Sequence, residues 1–499
     1  MPDDMLSDFP RGVGPALSGT APNARFLPTE SLTSTPSFAY RPGAHFLGVV
    51  NADMIQERAQ DGRLHRWTKG GIPIGYVNER PSLTIAGTRS GKGRSFVIPS
   101  ALTYPGSMIF TSAKDDILRE SIPFRAKQLG QDCYALAPYF DLAEFKEYRA
   151  SFNPLDLLTP NSPTLIEDAD IIADALMPDQ ESGENHWNDK ARSWIGRLLI
   201  LHVATWPGYE ECRDLVTVYE LAFGYNPELK KELAQNKSLG GAVMATALAI
   251  ENIPEEEKGS IFSTGRRHLE FLGYPEIQLT LRHNSLTKPL DISNLKSTAK
   301  SIYIAIPAMR LSTCGRLFRM LIQLSLGSLE RETVKPKYPI RMVLDEFAAF
   351  DRMTSIEKAI GQISGLNVRL DMLIQDKVQL DAIYGSRAES FLAQAGLIQC
   401  FGCSDNSTLE WIEKKLGNTT VVTPQFSNPT FEDLSKGSDP TSWRSEQVSL
   451  MASHEIEQFF ASQDHKLRTL VLIPGLAPLI VQRAFYDKHE FFKSNREGD

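Results

Sequence analysis

The run Leu83-Thr-Ile-Ala-Gly-Thr-Arg-Ser-Gly-Lys-Gly-Arg94 limits what this chain can fold into more than any other stretch. A short apolar strand feeds a glycine-rich turn, and Gly91-Lys92-Gly93 opens a predicted helix. Backbone N–H groups in such a turn face one concave side, and the helix N-terminus adds a positive partial charge. Lys92 supplies a full one. This is a cradle for the phosphates of a nucleoside triphosphate, with Gly87, Thr88, Arg89, Ser90, Gly91, Lys92, Gly93 and Arg94 as its candidate residues. It also forces a strand-turn-helix unit, and hence an α/β fold.

A second element completes the pattern. Arg341-Met-Val-Leu-Asp-Glu346 is an apolar strand ending in two carboxylates. At a nucleotide site Asp345 holds Mg²⁺, directly or through water. Glu346 polarises the attacking water, a task worth roughly 10²–10⁴ in rate. Gln375 ends the later run Leu370-Asp-Met-Leu-Ile374 and is placed to sense the γ-phosphate; Lys114 either faces the same edge or is solvated. Together these residues predict a P-loop ATPase. Two positions depart from the usual loop: Ala86 replaces its first glycine, and Gly93 its metal-binding Ser or Thr, with Ser95 as a substitute hydroxyl. Arg310, Arg316 and Arg387 are candidates for an arginine that reaches a neighbouring subunit's site, and the sequence does not choose among them.

The remaining pattern fits a cytoplasmic protein. The 499 residues are 42% hydrophobic and 23% charged, enough for about two to four domains. A formal charge of -8 leaves nucleic acid to a local basic patch or a ring lumen. Five cysteines with no framework spacing indicate a reducing compartment, and Cys400 and Cys403 lie in an apolar run that reads as core. No leader is seen, and the longest apolar window, Thr469 to Val481, is broken by Pro474, Gly475 and Pro478.

Along the chain, residues 1–45 read as a disordered or extended arm. Residues 46–164 alternate strands and helices, with Pro99 expected to kink or end the first helix. Residues 165–290 show helical spacing, as in Trp187, Ala191, Trp194, Ile195, Leu198 and Leu199, and are expected to be an inserted all-α domain. Strands resume in 291–499, and Pro424 to Trp443 reads as a long surface loop.

The same motifs resemble those of the type IV secretion coupling proteins, TraG-like conjugative DNA-transfer ATPases of the FtsK/HerA-like branch. Ala86 to Gly93 is similar to that family's phosphate loop, where Gly after the Lys is common. Ser151-Phe-Asn-Pro-Leu-Asp156, Ser301-Ile-Tyr-Ile-Ala-Ile-Pro307, Val343-Leu-Asp-Glu-Phe-Ala348, Ile360-Gly-Gln-Ile-Ser-Gly365, Leu373-Ile-Gln-Asp376 and Phe401-Gly-Cys-Ser-Asp-Asn406 follow in its order. The likeness runs from about residue 76 to 492. It implies a RecA-like P-loop NTPase domain, with a mostly parallel central sheet flanked by helices, plus the inserted all-α domain. It implies ATP and Mg²⁺ as cofactors and a homo-hexamer that moves DNA without sequence preference. Relaxase or protein cargo would be recruited through the all-α domain and delivered to a type IV secretion channel. Two features depart from the family: the usual N-terminal transmembrane anchor is not seen, so either membrane docking comes from a partner or the chain is a soluble variant with a different station, and Ser112 replaces an acid in Ser112-Ala-Lys-Asp-Asp116. A nucleotide-binding cargo adaptor and a DNA translocase outside secretion are the competing expectations.

Overall fold

The computed structural model describes residues 23–58, 62, 64–159, 162–177, 185–350, 352–426 and 441–493. Among these, eleven strands form one sheet. In chain order they are β1 (His45–Val50), β2 (Ile72–Tyr76), β3 (Ser82–Ala86), β4 (Met108–Ser112), β5 (Asp132–Leu136), β6 (Lys300–Ala305), β7 (Ile340–Leu344), β8 (Val368–Ile374), β9 (Leu397–Phe401), β10 (Arg468–Leu472) and β11 (Leu479–Gln482). Across the sheet the order is β2-β1-β11-β10-β9-β3-β8-β7-β4-β6-β5.

The seven strands from β9 to β5 are mutually parallel. β3, β4, β6 and β7 are buried along their whole length. Helices therefore cover both faces, which is why these strands read as nearly unbroken apolar runs. β10 and β11 turn back in antiparallel pairing, and the antiparallel pair β1 and β2 finishes that edge. Register at the heart of the sheet is pinned by charge as well as by apolar fit. Arg341 of β7 donates from Nε to Asp371 of β8 at 2.7 Å, and Ser82 of β3 donates to the same carboxylate at 2.6 Å. Arg341 and Asp371 are 1% and 0% exposed, so losing either partner strands a buried charge.

The helical block leaves and rejoins the sheet through a narrow neck. Ala150–Ser151 pairs in parallel with Lys288–Pro289, and Phe152 N–H donates to Thr280 O. Asn153 fixes the exit by accepting from Leu155 N–H and donating to Arg213 O. Helices then run from Leu165–Leu176 to Pro275–Leu281, including Asn185–Ser193, Leu215–Phe223, Pro227–Gln235, Ser238–Glu251 and Glu255–Leu269. Trp194, fully buried, is their centre: Gly265 lets a neighbouring helix approach so closely that a Cβ there would lie 2.6 Å from the indole.

Three expectations need correction. The helix after the phosphate loop passes through Pro99: the chain widens into a π-type turn at Gly93–Val97, and an α-helix then runs Ile98–Thr103 with Pro99 in its first turn. The chain is helical on both sides of the proline, and the widened turn just before it, with Ile98 N–H bonded back to Gly93 O, is where the helix departs from regular α geometry. The ends of the expected 424–443 loop are strands instead, Asn418–Phe426 paired with Thr441–Ser449; residues 427–440 lie outside the described residues. A two-stranded ribbon has only edges, so it accepts Pro424. Residues 1–22 of the expected arm also lie outside the described residues, but from 23 onward the segment is fastened. It holds the short helix Thr29–Ser34, buries Phe26, Leu32 and Phe38, and bonds Leu27 N–H to Pro478 O. No helix among the described residues is long and apolar enough to cross a membrane.

Candidate nucleotide site

β3 ends at Ala86, and the chain turns through Gly87–Gly91 before Lys92 starts the helix. Ser90 N–H donates to Gly87 O, closing the turn, while Arg89 and Gly91 take φ of +58° and +90°. These left-handed residues turn successive amides to one side, the geometry of an anion nest. Gly87 is required by close approach: a Cβ there would lie 2.0 Å from Gly402 O, just past β9. Gly93 has open space around it, and the Ser95 hydroxyl donates to Gly91 O at 2.9 Å.

β8 lies between β3 and β7, so Gln375 stands between the phosphate loop and the carboxylates. Lys92 Nζ reaches over it, 3.0 Å from Asp345 Oδ1 and 2.7 Å from Glu346 Oε1. Gln375 Nε2 donates to Glu346 Oε2 at 3.1 Å, and its Oε1 accepts from the Thr88 hydroxyl at 2.9 Å. Glu346 has φ +55°, a conformation a non-glycine residue rarely holds outside functional tips. Burial pulls the Lys92 ammonium down, but Asp345 and Glu346 more than offset it, and its pKa is raised. Burial pushes the Asp345 carboxyl up, against the pull of Lys92.

These groups fit a magnesium-triphosphate. Cation, amides, two carboxylates and an amide side chain converge at one edge of the sheet, Lys92 from the head of the helix and the others from strand ends or the loop between. No group of three or more His, Cys, Asp or Glu residues able to hold a metal occurs among the described residues. A hard divalent ion here would therefore rely on Asp345, phosphate oxygens and water, the usual habit of Mg²⁺.

Other candidates lie elsewhere. Lys114 is exposed, and its N–H donates to the Ser112 hydroxyl. The Arg310 guanidinium lies 4.3 Å over the Tyr139 ring, Arg316 donates to His268 O, and Arg387 pairs with Glu357 at 3.6 Å. Cys400 and Cys403 are buried.

Sequence reasoning missed the segment after β11. Arg483, 2% exposed, donates from Nη1 to Ser90 O at 2.7 Å and from Nη2 to Ala461 O and Ser462 O. Tyr486 N–H donates to Arg94 O, and Asp487 takes Arg94 Nε at 3.0 Å. Nothing local marks these residues; they meet the loop only because β11, separated from β3 by β10 and β9, ends at the same edge of the sheet.

The chain matches the model of a family described as Type IV secretory system Conjugative DNA transfer over residues 47–498. It belongs to that family. Within the family, it is 22% identical over 377 residues to a conjugal transfer protein TraG of Escherichia coli, covering 69% of this chain and 56% of that protein. It is 23% identical over 441 residues to the type IV secretion system-coupling protein VirD4 of Bartonella henselae, covering 85% and 66%. The chain thus spans little over half the length of the first of these family relatives. Among solved structures it is similar to the bacterial conjugative coupling protein TrwBdeltaN70 in its unbound form, with TM-score 0.64, 16% identity and coverage of 95% and 96%. TrwB in complex with a non-hydrolysable ATP analogue gives TM-score 0.62 at 14% identity, covering 94% and 96%. The fold of this family member is RecA-like: a mostly parallel sheet flanked by helices, with the carboxylate strand one strand removed from the phosphate-loop strand.

Proposed function

We propose that this chain is an ATP-hydrolysing, coupling-protein-like motor that brings conjugative DNA, with its bound relaxase or protein substrate, to a type IV secretion channel. The observation that carries the reading is the contact of Lys92 with both Asp345 and Glu346, bridged by Gln375. In this reading the amides of Gly87 to Arg94 cradle the phosphates and Lys92 moves from the carboxylates onto them. Asp345 holds Mg²⁺, whose charge would offset that of the phosphate oxygens. Glu346 orients and deprotonates water, and Gln375 links that carboxylate to Thr88 of the loop, so that its hydrogen bonds change when the γ-phosphate does.

The family supports DNA and secretion-channel components as partners. A homo-hexamer, cargo recruitment by an all-α domain bounded near 165 and 290, and a cytoplasmic station docked at the inner membrane through a partner belong to the same proposal. DNA contacts directed to phosphates would make binding salt-sensitive and sequence-tolerant.

A second reading, a nucleotide-binding adaptor with little turnover, draws on Gly93 in the hydroxyl position and on Ser95 being bonded to Gly91 O. DNA-stimulated phosphate release decides between them. The motor reading requires turnover by the wild type and its loss in Glu346→Gln; tight ATP binding without turnover by the wild type would leave the adaptor.

A further inference from the structure

The topology gives the nucleotide a direction. β3 is flanked by β8 on one side and β9 on the other, and Gln375, Asp345 and Glu346 all belong to the β8 side. Lys92 Nζ is drawn toward them, so the γ end of a triphosphate lies there. The α-phosphate and nucleoside must then leave on the opposite side, toward β9, β10 and β11.

What waits on that side is a stacked pair. The Phe485 ring lies against the phosphate loop, 3.4 Å from where a Cβ on Gly91 would stand. The Arg94 guanidinium sits 4.4 Å from the centre of that ring. Asp487 holds it edge-on through two contacts, Nε to Oδ1 at 3.0 Å and Nη2 to Oδ2 at 2.5 Å. Tyr486 N–H donates to Arg94 O, locking the backbone of the pair together. The ring beneath and the carboxylate at the edge fix the plane of the guanidinium, while the Arg94 side chain remains 44% exposed. Its outer face is a flat, preorganised cation beside the loop's exit. A planar guanidinium stacks on π-systems in a way a lysine ammonium cannot.

We propose that Arg94, seated on Phe485, is the platform on which the nucleobase stacks. This rests on the nucleotide reading above and assigns its nucleoside half. The base is read by its face, so the platform is an affinity device that accepts purines generally. The Arg94 side chain is thereby distinguished from the loop's backbone amides, its own included, whose task is the phosphates and which Arg94→Lys leaves in place.

The test compares Mg²⁺-ATP with inorganic tripolyphosphate, titrated calorimetrically into the full chain. Arg94→Lys keeps the charge and removes the flat surface. It is expected to weaken ATP about tenfold while tripolyphosphate stays within twofold. Phe485→Leu, which removes the ring under the guanidinium, is expected to give the same split. ATP affinity unchanged in Arg94→Lys, or an equal loss for both ligands, would overturn the platform. So would a wild type that binds tripolyphosphate as tightly as ATP, although that result would leave the phosphate site standing. A wild type that binds neither would remove the nucleotide reading and the platform with it.

Discussion

Lys92 Nζ lies 2.7 Å from Glu346 Oε1, a contact that joins the phosphate loop to the carboxylate tip across an intervening strand. The ammonium is shared with Asp345, so one cation serves two acids and balances only one of their charges. Lys92→Ala removes the cation that contacts Asp345 and Glu346 and leaves two partly buried carboxylates without it. We expect ATP affinity to fall at least tenfold in calorimetry. The ligand-free protein should lose on the order of 1–3 kcal/mol in urea unfolding at neutral pH. Unchanged ATP affinity would mean the phosphates bind elsewhere.

Gln375 touches both sides of the site, Thr88 and Glu346. Gln375→Ala should keep ATP affinity within threefold and slow phosphate release by about a hundredfold, the size of effect seen when a preorganised polar donor is removed. Equal losses in binding and turnover would argue that the amide only holds the loop in place.

Two glycines of the loop differ in what surrounds them. Gly87→Ala drives a methyl into Gly402 O, whereas Gly93→Ser enters open space. The first should lower the melting temperature and abolish ATP binding, because the clash is with backbone and cannot be relieved by a side-chain rotation. The second should melt with the wild type and, if the added hydroxyl reaches the metal, bind ATP at lower Mg²⁺ concentration. Titrations of ATP binding against Mg²⁺ check this.

Acid should weaken the fold through its buried histidines. Burial depresses His45, His202 and His268 from 6.5 to about 3, 4 and 3. At His268 the neighbouring Arg316, Arg267, Arg319 and Arg192 add to that push. Above pH 6.5 each is neutral both folded and unfolded and contributes nothing. As pH falls below 6.5 the unfolded chain takes up protons that the folded chain refuses, so stability falls toward the folded pKa values. The slope approaches about 1.4 kcal/mol per pH unit for each histidine. His268→Leu should remove one such share of the slope between pH 6.5 and 5, whatever it does to stability at pH 7. Urea unfolding at three pH values measures it; an unaltered slope would place the proton uptake elsewhere.

Much of this was readable from residues. β7, β8 and β9 begin and end on apolar residues, since strands buried on both faces are mostly apolar and their few polar residues, Arg341, Arg369, Asp371 and Gln399, lie inside the runs rather than at their ends. Asp345, Glu346 and Gln375 were marked by position at a strand end and Lys92 by its place where a glycine-rich turn opens a helix, and they meet. Strand order was not readable, because a crossover connection can place the next strand on either side; hence Gln375 between the loop and the carboxylates. β1 and β2, short strands at one end of the sheet, have no sustained period, and the Asn418–Phe426 ribbon hides behind a loop-like composition. Arg483, Phe485 and Asp487 carry no local signal at all.

The neck of the helical block has an evolutionary consequence. Its outgoing and returning strands are hydrogen-bonded to each other, so the chain departs from and comes back to a single seam. That seam lies beside β5, the edge strand, and β5 is five strands from the phosphate-loop strand, roughly 24 Å at the usual interstrand spacing. Lineages can therefore lengthen, trim or replace what hangs from it without re-threading the sheet, and in the proposed reading cargo preference would be free to drift while the nucleotide site stays the same.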